Sequence, residues 1–294
     1  MKVGIFGQFY HKNSERSIQN VLDALLETGV EVWVEKNFLE LIRHHKGIDT
    51  NVQTFSSFTE LDHSYDFFFS IGGDGTILRS ITFVRDLGIP IVGINTGKLG
   101  FLATIQKQMV GESINQIING NFKTSQRSLI AVETDTENDQ IGELNFALNE
   151  IAINRKNSTS MIKVETRVNH EHLGSYWSDG LIVATPTGST GYSLSCGGPI
   201  LSPDTHNFIL TPIAPHNLNV RPFVLPDNKE IELTVSGRED DFLLSLDSRT
   251  ATLPIGTTIR LKKAPFSIKL VQLSQDSFLN TLREKLLWAE DRRN

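Results

Sequence analysis

The run Phe67-Phe68-Phe69-Ser70-Ile71 breaks on Gly72-Gly73-Asp74-Gly75-Thr76 and passes at once into Ile77, Leu78, Ile81 and Val84 at helical spacing. An apolar run without polar alternation must be covered on both faces. A strand that turns directly into a helix belongs to a parallel sheet with crossover helices. The neighbouring segments repeat the alternation. Residues 2–6 are predicted as a buried strand. Residues 14–28 follow as a helix with Ile18, Val21, Leu22, Leu25 and Leu26 on one face and Gly29 as its stop. Residues 30–34 read as a second strand, Phe38, Leu39, Leu41 and Ile42 as a short helical pattern, the 67–71 run as the third strand, and 89–94 as another. Residues 1–125 are therefore expected to form a doubly wound parallel α/β domain.

After Asn121 the pattern changes. Strand-like runs at 129–133, 150–154, 181–184, 230–235, 242–246 and 258–261, with turns between them and few long helices, predict a β-rich, sandwich-like domain over residues 126–275. Phe278, Leu279, Leu282, Leu286 and Leu287 then give an amphipathic helix within 276–294, read as a packing helix rather than a membrane-binding one.

A chain of 294 residues has room for two ordinary domains, and 39% hydrophobic with 21% charged residues excludes disordered, collagen-like and coiled-coil classes. The net charge is -6 and no run of Lys and Arg exceeds two residues, as at Lys262-Lys263, which argues against a nucleic-acid partner. Cys196 is the only cysteine, so an intrachain disulfide framework and a Cys-based zinc site are excluded, and a reducing, cytoplasmic location is expected. The apolar start is too short for a signal peptide, and no run reaches the roughly 18 residues of a membrane span, so no membrane partner is expected.

A glycine turn between a strand and a helix suits phosphate. Backbone N–H groups come close to phosphate oxygens, the helix start adds partial positive charge, and Thr76 offers a hydroxyl. Asp74 is the informative exception, because a carboxylate beside phosphate is repelled unless it handles a proton or a metal. A general base, a magnesium contact and a cap on the helix that begins near Thr76 all fit an Asp here. Glycines on both sides favour the first two, since a cap needs only one turn residue. A Rossmann fingerprint is missing at Gly4 to Gly7. Gly93 to Leu99 has too few residues between its glycines for a P-loop, and Leu99 stands where Ser or Thr is needed.

The second dense stretch runs from Asp179-Gly180 through Thr185-Pro186-Thr187-Gly188-Ser189-Thr190-Gly191-Tyr192-Ser193-Leu194-Ser195 to Cys196-Gly197-Gly198-Pro199. Its hydroxyls and backbone donors suit phosphates and ribose, with Tyr192 as a face for a base to stack on; a turn-rich connection in a β domain is the plainer alternative. The spacing of a nucleophile elbow is absent, and Cys196 reads as a packing residue with no adjacent His to activate it.

Together these stretches resemble the NAD kinase family, which pairs a G-G-D-G-T loop with D-G-x-x-x-x-T-P-T-G-S-T-x-Y. The resemblance extends to Gly93 through Leu102, to Leu148-Asn149-Glu150, and to Leu210 through His216 followed by Arg221-Pro222. It implies transfer of the γ-phosphoryl of ATP to the 2′-hydroxyl of the adenosine ribose of NAD. Magnesium would accompany ATP, and the active site would lie in a cleft between the two domains. The last helix would return to the first domain, and subunits would form homodimers or homotetramers.

Carried over by residue, Asp74 would be the proton acceptor, with the phosphate-cradling Gly72, Gly73, Gly75 and Thr76 around it and Arg79 nearby. Asn149, Glu150, Asp179, Thr187 and the run Thr190, Gly191, Tyr192, Ser193, Leu194 and Ser195 would contact NAD. Ala214 would line the adenosine pocket. No metal ligand is singled out. Asp247-Ser248 departs from the Asp-Gly that is common in the family, so that turn must suit a non-glycine or carry strain. The G-G-D-G-T loop also looks like that of diacylglycerol and sphingosine kinases, and a non-catalytic NAD sensor is a further alternative.

Overall fold

The structure is a computed structural model and describes residues 1–8, 14–44, 52–136, 138–157 and 160–288, so the last part of the predicted C-terminal helix, 289–294, lies outside the described residues. The chain divides into two compact units, Met1–Gln126 with Ile268–Asn294, and Arg127–Ser267.

In the first unit, strands β1 (Lys2–Gly7), β2 (Glu31–Glu35), β3 (Gln53–Phe55), β4 (Phe67–Gly72) and β5 (Ile91–Asn95) pair in parallel in the order β5-β4-β1-β2-β3. Helices α1 (Ser14–Glu27), α2 (Lys36–His44), α3 (Asp74–Val84) and α4 (Val110–Ile118) connect or flank them, and β6 (Ile105–Gln106) adds two residues beside β5.

One face of the sheet buries Val3, Ile5, Phe69, Ile71 and Val92 against Ile18, Val21, Leu22, Leu25, Ile114 and Ile117. On the other face Phe83 of α3 packs on Phe6 and Phe68, with ring centroids 5.1 and 6.1 Å apart. This double covering is the reason these strands carry no polar alternation. The apolar run 67–71, predicted as the third strand, is the fourth. The extra strand, Gln53–Phe55, is three residues long and exposes Gln53 and Thr54, so it carries no periodic signal.

The second unit is a sandwich. Strands β7 (Lys123–Thr134), which enters it from the first unit, β8 (Phe146–Ala147), β9 (Glu150–Arg155), β10 (Ile162–Val168), β11 (Glu171–Ser178) and β12 (Gly180–Ala184) precede a short helix α5 (Tyr192–Ser195). They are followed by β13 (Asn207–Ile213), β14 (Phe223–Pro226), β15 (Ile231–Ser236), β16 (Asp241–Leu246), β17 (Arg249–Pro254) and β18 (Thr258–Gln272).

One antiparallel sheet has the order β14-β13-β12-β9-β16-β17, and the other places β10 between β11 and β15, with β15 against β18. Ile151, Ile153, Leu181, Val183 and Leu244 from the first meet Val164, Leu233, Val235, Ile259 and Leu261 from the second in one dry core. The last strand, β18, continues into the first unit, where Leu270 pairs with Ile91 of β5, and helix α6 (Phe278–Leu286) follows, capped by the Ser277 hydroxyl.

Candidate active site

The order β4-β1-β2 reverses direction at β1, since the chain leaves β1 toward β2 and later returns on its other side at β4. Ligands of open α/β sheets gather at the strand ends beside such a switch point. Here those ends are Gly7 and Gly72. A Cβ on Gly72 would lie 2.1 Å from Thr76 Oγ1, so the turn closes only on glycine. Gly73 and Gly75 have nothing within 4 Å of a Cβ position; the protein's own packing does not require them, and the bare helix start they leave is open to a ligand.

Asp74 is the first residue of α3, after Gly73 at the N-cap, and no side chain caps this helix. Its carboxylate reaches instead to the segment after β5. Oδ2 accepts the N–H of Phe101 at 2.7 Å, and Oδ1 accepts those of Leu102 and Ala103, each at 3.0 Å. Helix capping is therefore not its role. A carboxylate has about four acceptor positions, so this cage leaves one, on Oδ2.

Two further residues shape the cage. Buried Asn95 ties the segment from within, accepting the Gly97 N–H at 2.7 Å and donating to the Lys98 carbonyl at 2.6 Å. Gly100 makes room, because a Cβ there would stand 1.9 Å from Asp74 Oδ1. In the sequence this segment is marked only by Asn and Gly punctuation directly after a buried strand.

Thr76 is fully buried, with its hydroxyl toward Gln8 Oε1 at 3.5 Å, so it supports the turn rather than presenting a donor outward. Arg79 lies on the exposed side of α3, one turn beyond Gly75.

In the second unit, Asp247 forms a similar cage. Its carboxylate accepts the N–H groups of Leu148 at 2.9 Å, Asn149 at 2.8 Å and Glu150 at 3.3 Å. The two-residue turn Asp247-Ser248 joins β16 to β17, and its left-handed residue is Asp247 itself, with φ 51°; Ser248 has no positive φ. This settles the departure from Asp-Gly: the strained position falls on an Asp, a residue that tolerates it, and three amide bonds hold it there.

The residues so positioned have unmet polar atoms. Asn149 Oδ1 and Glu150 Oε2 are buried without a hydrogen-bond partner among the described residues. Both lie near Gly191, whose Cβ would stand 3.1 Å from Glu150 Oε2 and 3.5 Å from Asn149 Nδ2. A buried polar atom calls for a hydrogen-bond partner, which a bound ligand could supply. Burial, then the Asp247 charge, pushes the Glu150 carboxyl up to about 8. Burial raises Asp247 too, but its amide bonds and Arg249 oppose this, so of the pair Asp247 carries the charge.

The hydroxyl-rich stretch divides its labour. It folds over the outer face of the six-stranded sheet, where Cys196 and Leu201 cover Ala152, Ile182, Ala184 and Ile209. Thr185 bonds the Leu148 carbonyl, Ser189 the Pro186 carbonyl, and Ser193 the Thr211 hydroxyl at 2.8 Å, so these groups build the fold. Thr187 is buried, and Thr190 turns back to the Thr187 carbonyl. Tyr192 and Ser195 are exposed, and Leu194 is half-buried.

Asp179 pairs with Arg155 at 3.0 Å, and exposed Ala214 holds a left-handed φ of 44°. Burial pushes the Cys196 thiol up, as suits a packing residue. Among the described residues no group of three or more His, Cys, Asp or Glu could hold a metal ion, and no helix is long and apolar enough to cross a membrane.

Comparison with known proteins places both units. Residues 3–122 match the ATP-NAD kinase N-terminal domain, and residues 148–273 match the ATP-NAD kinase C-terminal domain. The chain is 54% identical to the NAD kinase of Christiangramia forsetii over 294 residues, covering 100% of both chains. Among solved structures, an NAD kinase from Archaeoglobus fulgidus in complex with ATP superposes with a TM-score of 0.73 at 26% identity, covering 97% of each chain. A yeast NADH kinase complexed with NADH shares the fold, with a TM-score of 0.86 at 24% identity, over 99% of this chain and 89% of that one.

Proposed function

Because the chain belongs to the NAD kinase family, we propose that it transfers the γ-phosphoryl group of ATP to the 2′-hydroxyl of the adenosine ribose of NAD, with Asp74 as the base. The observation that carries this reading is the Asp74 carboxylate itself. It sits at a strand end beside a bare helix start, held by three amides with one acceptor position to spare. As the new O–P bond forms, that position takes the 2′-hydroxyl proton while the bond from the γ-phosphorus to its bridging oxygen breaks and ADP leaves.

Gly73 and Gly75 let the nucleotide phosphates approach the helix start. Asn149 and Glu150 supply unmet polar atoms to NAD, beside Thr187, Tyr192 and Ser195. Ser193 acts through its contact with Thr211. Alignment and charge neutralisation carry most of such a transfer.

The described residues do not furnish a magnesium cluster. Magnesium would accompany ATP, held by its phosphates, and would neutralise their charge there. A cytoplasmic location and association into dimers or tetramers complete the reading.

Incubating the pure protein with ATP, magnesium and NAD, and measuring the product with an NADP-specific dehydrogenase, tests the activity. NADP is expected, and its absence with every phosphoryl donor would sink the reading.

Glu150 gives a second expected result. Its folded carboxyl, near 8 against an ordinary 4.5, holds a proton that the unfolded chain releases, so stability is present below 4.5 and is lost as pH rises through about 8. Glu150→Gln should match the wild type in urea unfolding at pH 4.5 and exceed it at pH 8.5. Parallel pH dependence in both proteins would remove the buried acid from the account.

A further inference from the structure

Leu99 and Thr104, which flank the amide cage of Asp74, line a cavity of about 260 Å³ whose far wall is Asp276, Asn280 and Glu284 at the start and outer side of α6. No Lys, Arg or His lines it. Three acceptors there are unmet. The Ser113 hydroxyl, in a residue only 1% exposed, makes no hydrogen bond among the described residues. Asp276 uses Oδ2 for the Thr104 hydroxyl at 2.9 Å and the Leu273 N–H at 3.1 Å, leaving Oδ1 without a partner among the described residues. Glu284 has no ion pair among them either.

We propose that this cavity binds a small organic cation, a protonated alkyl amine or diamine, whose ammonium groups bond Asp276, Glu284 and Ser113 while its chain lies on Leu99 and Leu273. Two carboxylates with no balancing base repel an anion. A divalent metal would need more oxygen ligands than two carboxylates give, and no metal-holding cluster is present among the described residues. The volume falls below the roughly 300–1,000 Å³ of drug-sized pockets, which suits a short chain.

Occupancy reaches Asp74 through contacts already described in part. Asp276 holds Thr104, and Phe101, whose N–H caps Asp74 Oδ2, lies under the Phe278 ring at 6.3 Å and the Lys285 ammonium at 4.9 Å. An amine on Oδ1 draws the Asp276 carboxylate toward itself and with it Oδ2, the oxygen that holds Thr104, so this segment shifts. The effect on turnover rests on Asp74 as base; the binding does not.

Calorimetric titration of the full chain with 1,4-diaminobutane, against 1,4-butanediol at matched ionic strength, tests the site. Saturable binding of the diamine alone is expected, weakened about tenfold in Glu284→Gln, which removes one charge-assisted bond at an exposed position. No saturable heat with diamine, equal binding of the diol, or an unchanged affinity in Glu284→Gln overturns it. NADP formation followed in the same titration should change in the wild type and not in the variant at equal diamine. Binding without such a change overturns the link to Asp74. A chain that binds diamine but makes no NADP overturns the kinase reading and leaves the cavity assignment standing.

Discussion

Asp74→Asn should lower turnover by about 10² to 10⁴ while the affinity for NAD, measured by calorimetry, stays near that of the wild type. The amide cannot take the 2′-hydroxyl proton, yet it fills the same volume. The cage adds a second consequence. If the Asn oxygen takes the place of Oδ1 it keeps Leu102 and Ala103, but its NH₂ then faces the Phe101 N–H where Oδ2 accepted at 2.7 Å. Two donors in contact cost about 1–3 kcal/mol, so the thermal midpoint should fall as well. Turnover within about tenfold of the wild type would overturn the base assignment, because a general base contributes more than that. A lower midpoint with unchanged turnover would leave Asp74 as a brace for the 101–103 segment and nothing else.

The part of this arrangement that the sequence made legible is the part with local causes. A buried strand, a glycine break and a helix pattern are all contained in residues 67–84, so the βα unit could be read directly. The partners of Asp74 could not. They lie 27 to 29 residues downstream and are backbone N–H groups, which leave no mark in residue identity.

The same holds for Asp247, whose partners are about 98 residues away in sequence and again are amides. Its turn departs from glycine in the sequence, yet which residue carries the positive φ is a property of the hairpin register, set by the pairing of Leu246 with Arg249. The hydroxyls of residues 185–195 were legible as a polar cluster. Their division into structural and available groups depends on which side faces the sheet below, a tertiary fact. Short edge strands such as Gln53–Phe55 escaped for the opposite reason, having too few buried side chains to set a period.

The cage itself is open to a test that leaves the carboxylate in place. Gly100→Ala puts a Cβ 1.9 Å from Asp74 Oδ1, 2.6 Å from its Cγ and 2.9 Å from Oδ2, all well inside contact distance. Asp74 cannot retreat without releasing three amides, and the 101–103 segment cannot retreat without loosening the Asn95 ties to Gly97 and Lys98. The expected result is a loss of about 3 kcal/mol of stability or more, from overpacking plus weakened charge-assisted bonds. Turnover should drop by at least about tenfold, since Asp74, the proposed base, is displaced from its place.

Gly75→Ala is the matched comparison, because a Cβ there meets nothing within 4 Å. It should leave stability unchanged or raise it slightly, as Ala favours a helix, and yet weaken ATP binding if the open space serves the phosphates. A stable Gly100→Ala protein with full turnover would show that the cage yields freely and does not set the position of Asp74. An unaltered ATP affinity in Gly75→Ala would remove the phosphates from this helix start while leaving the proton-transfer role of Asp74 untouched.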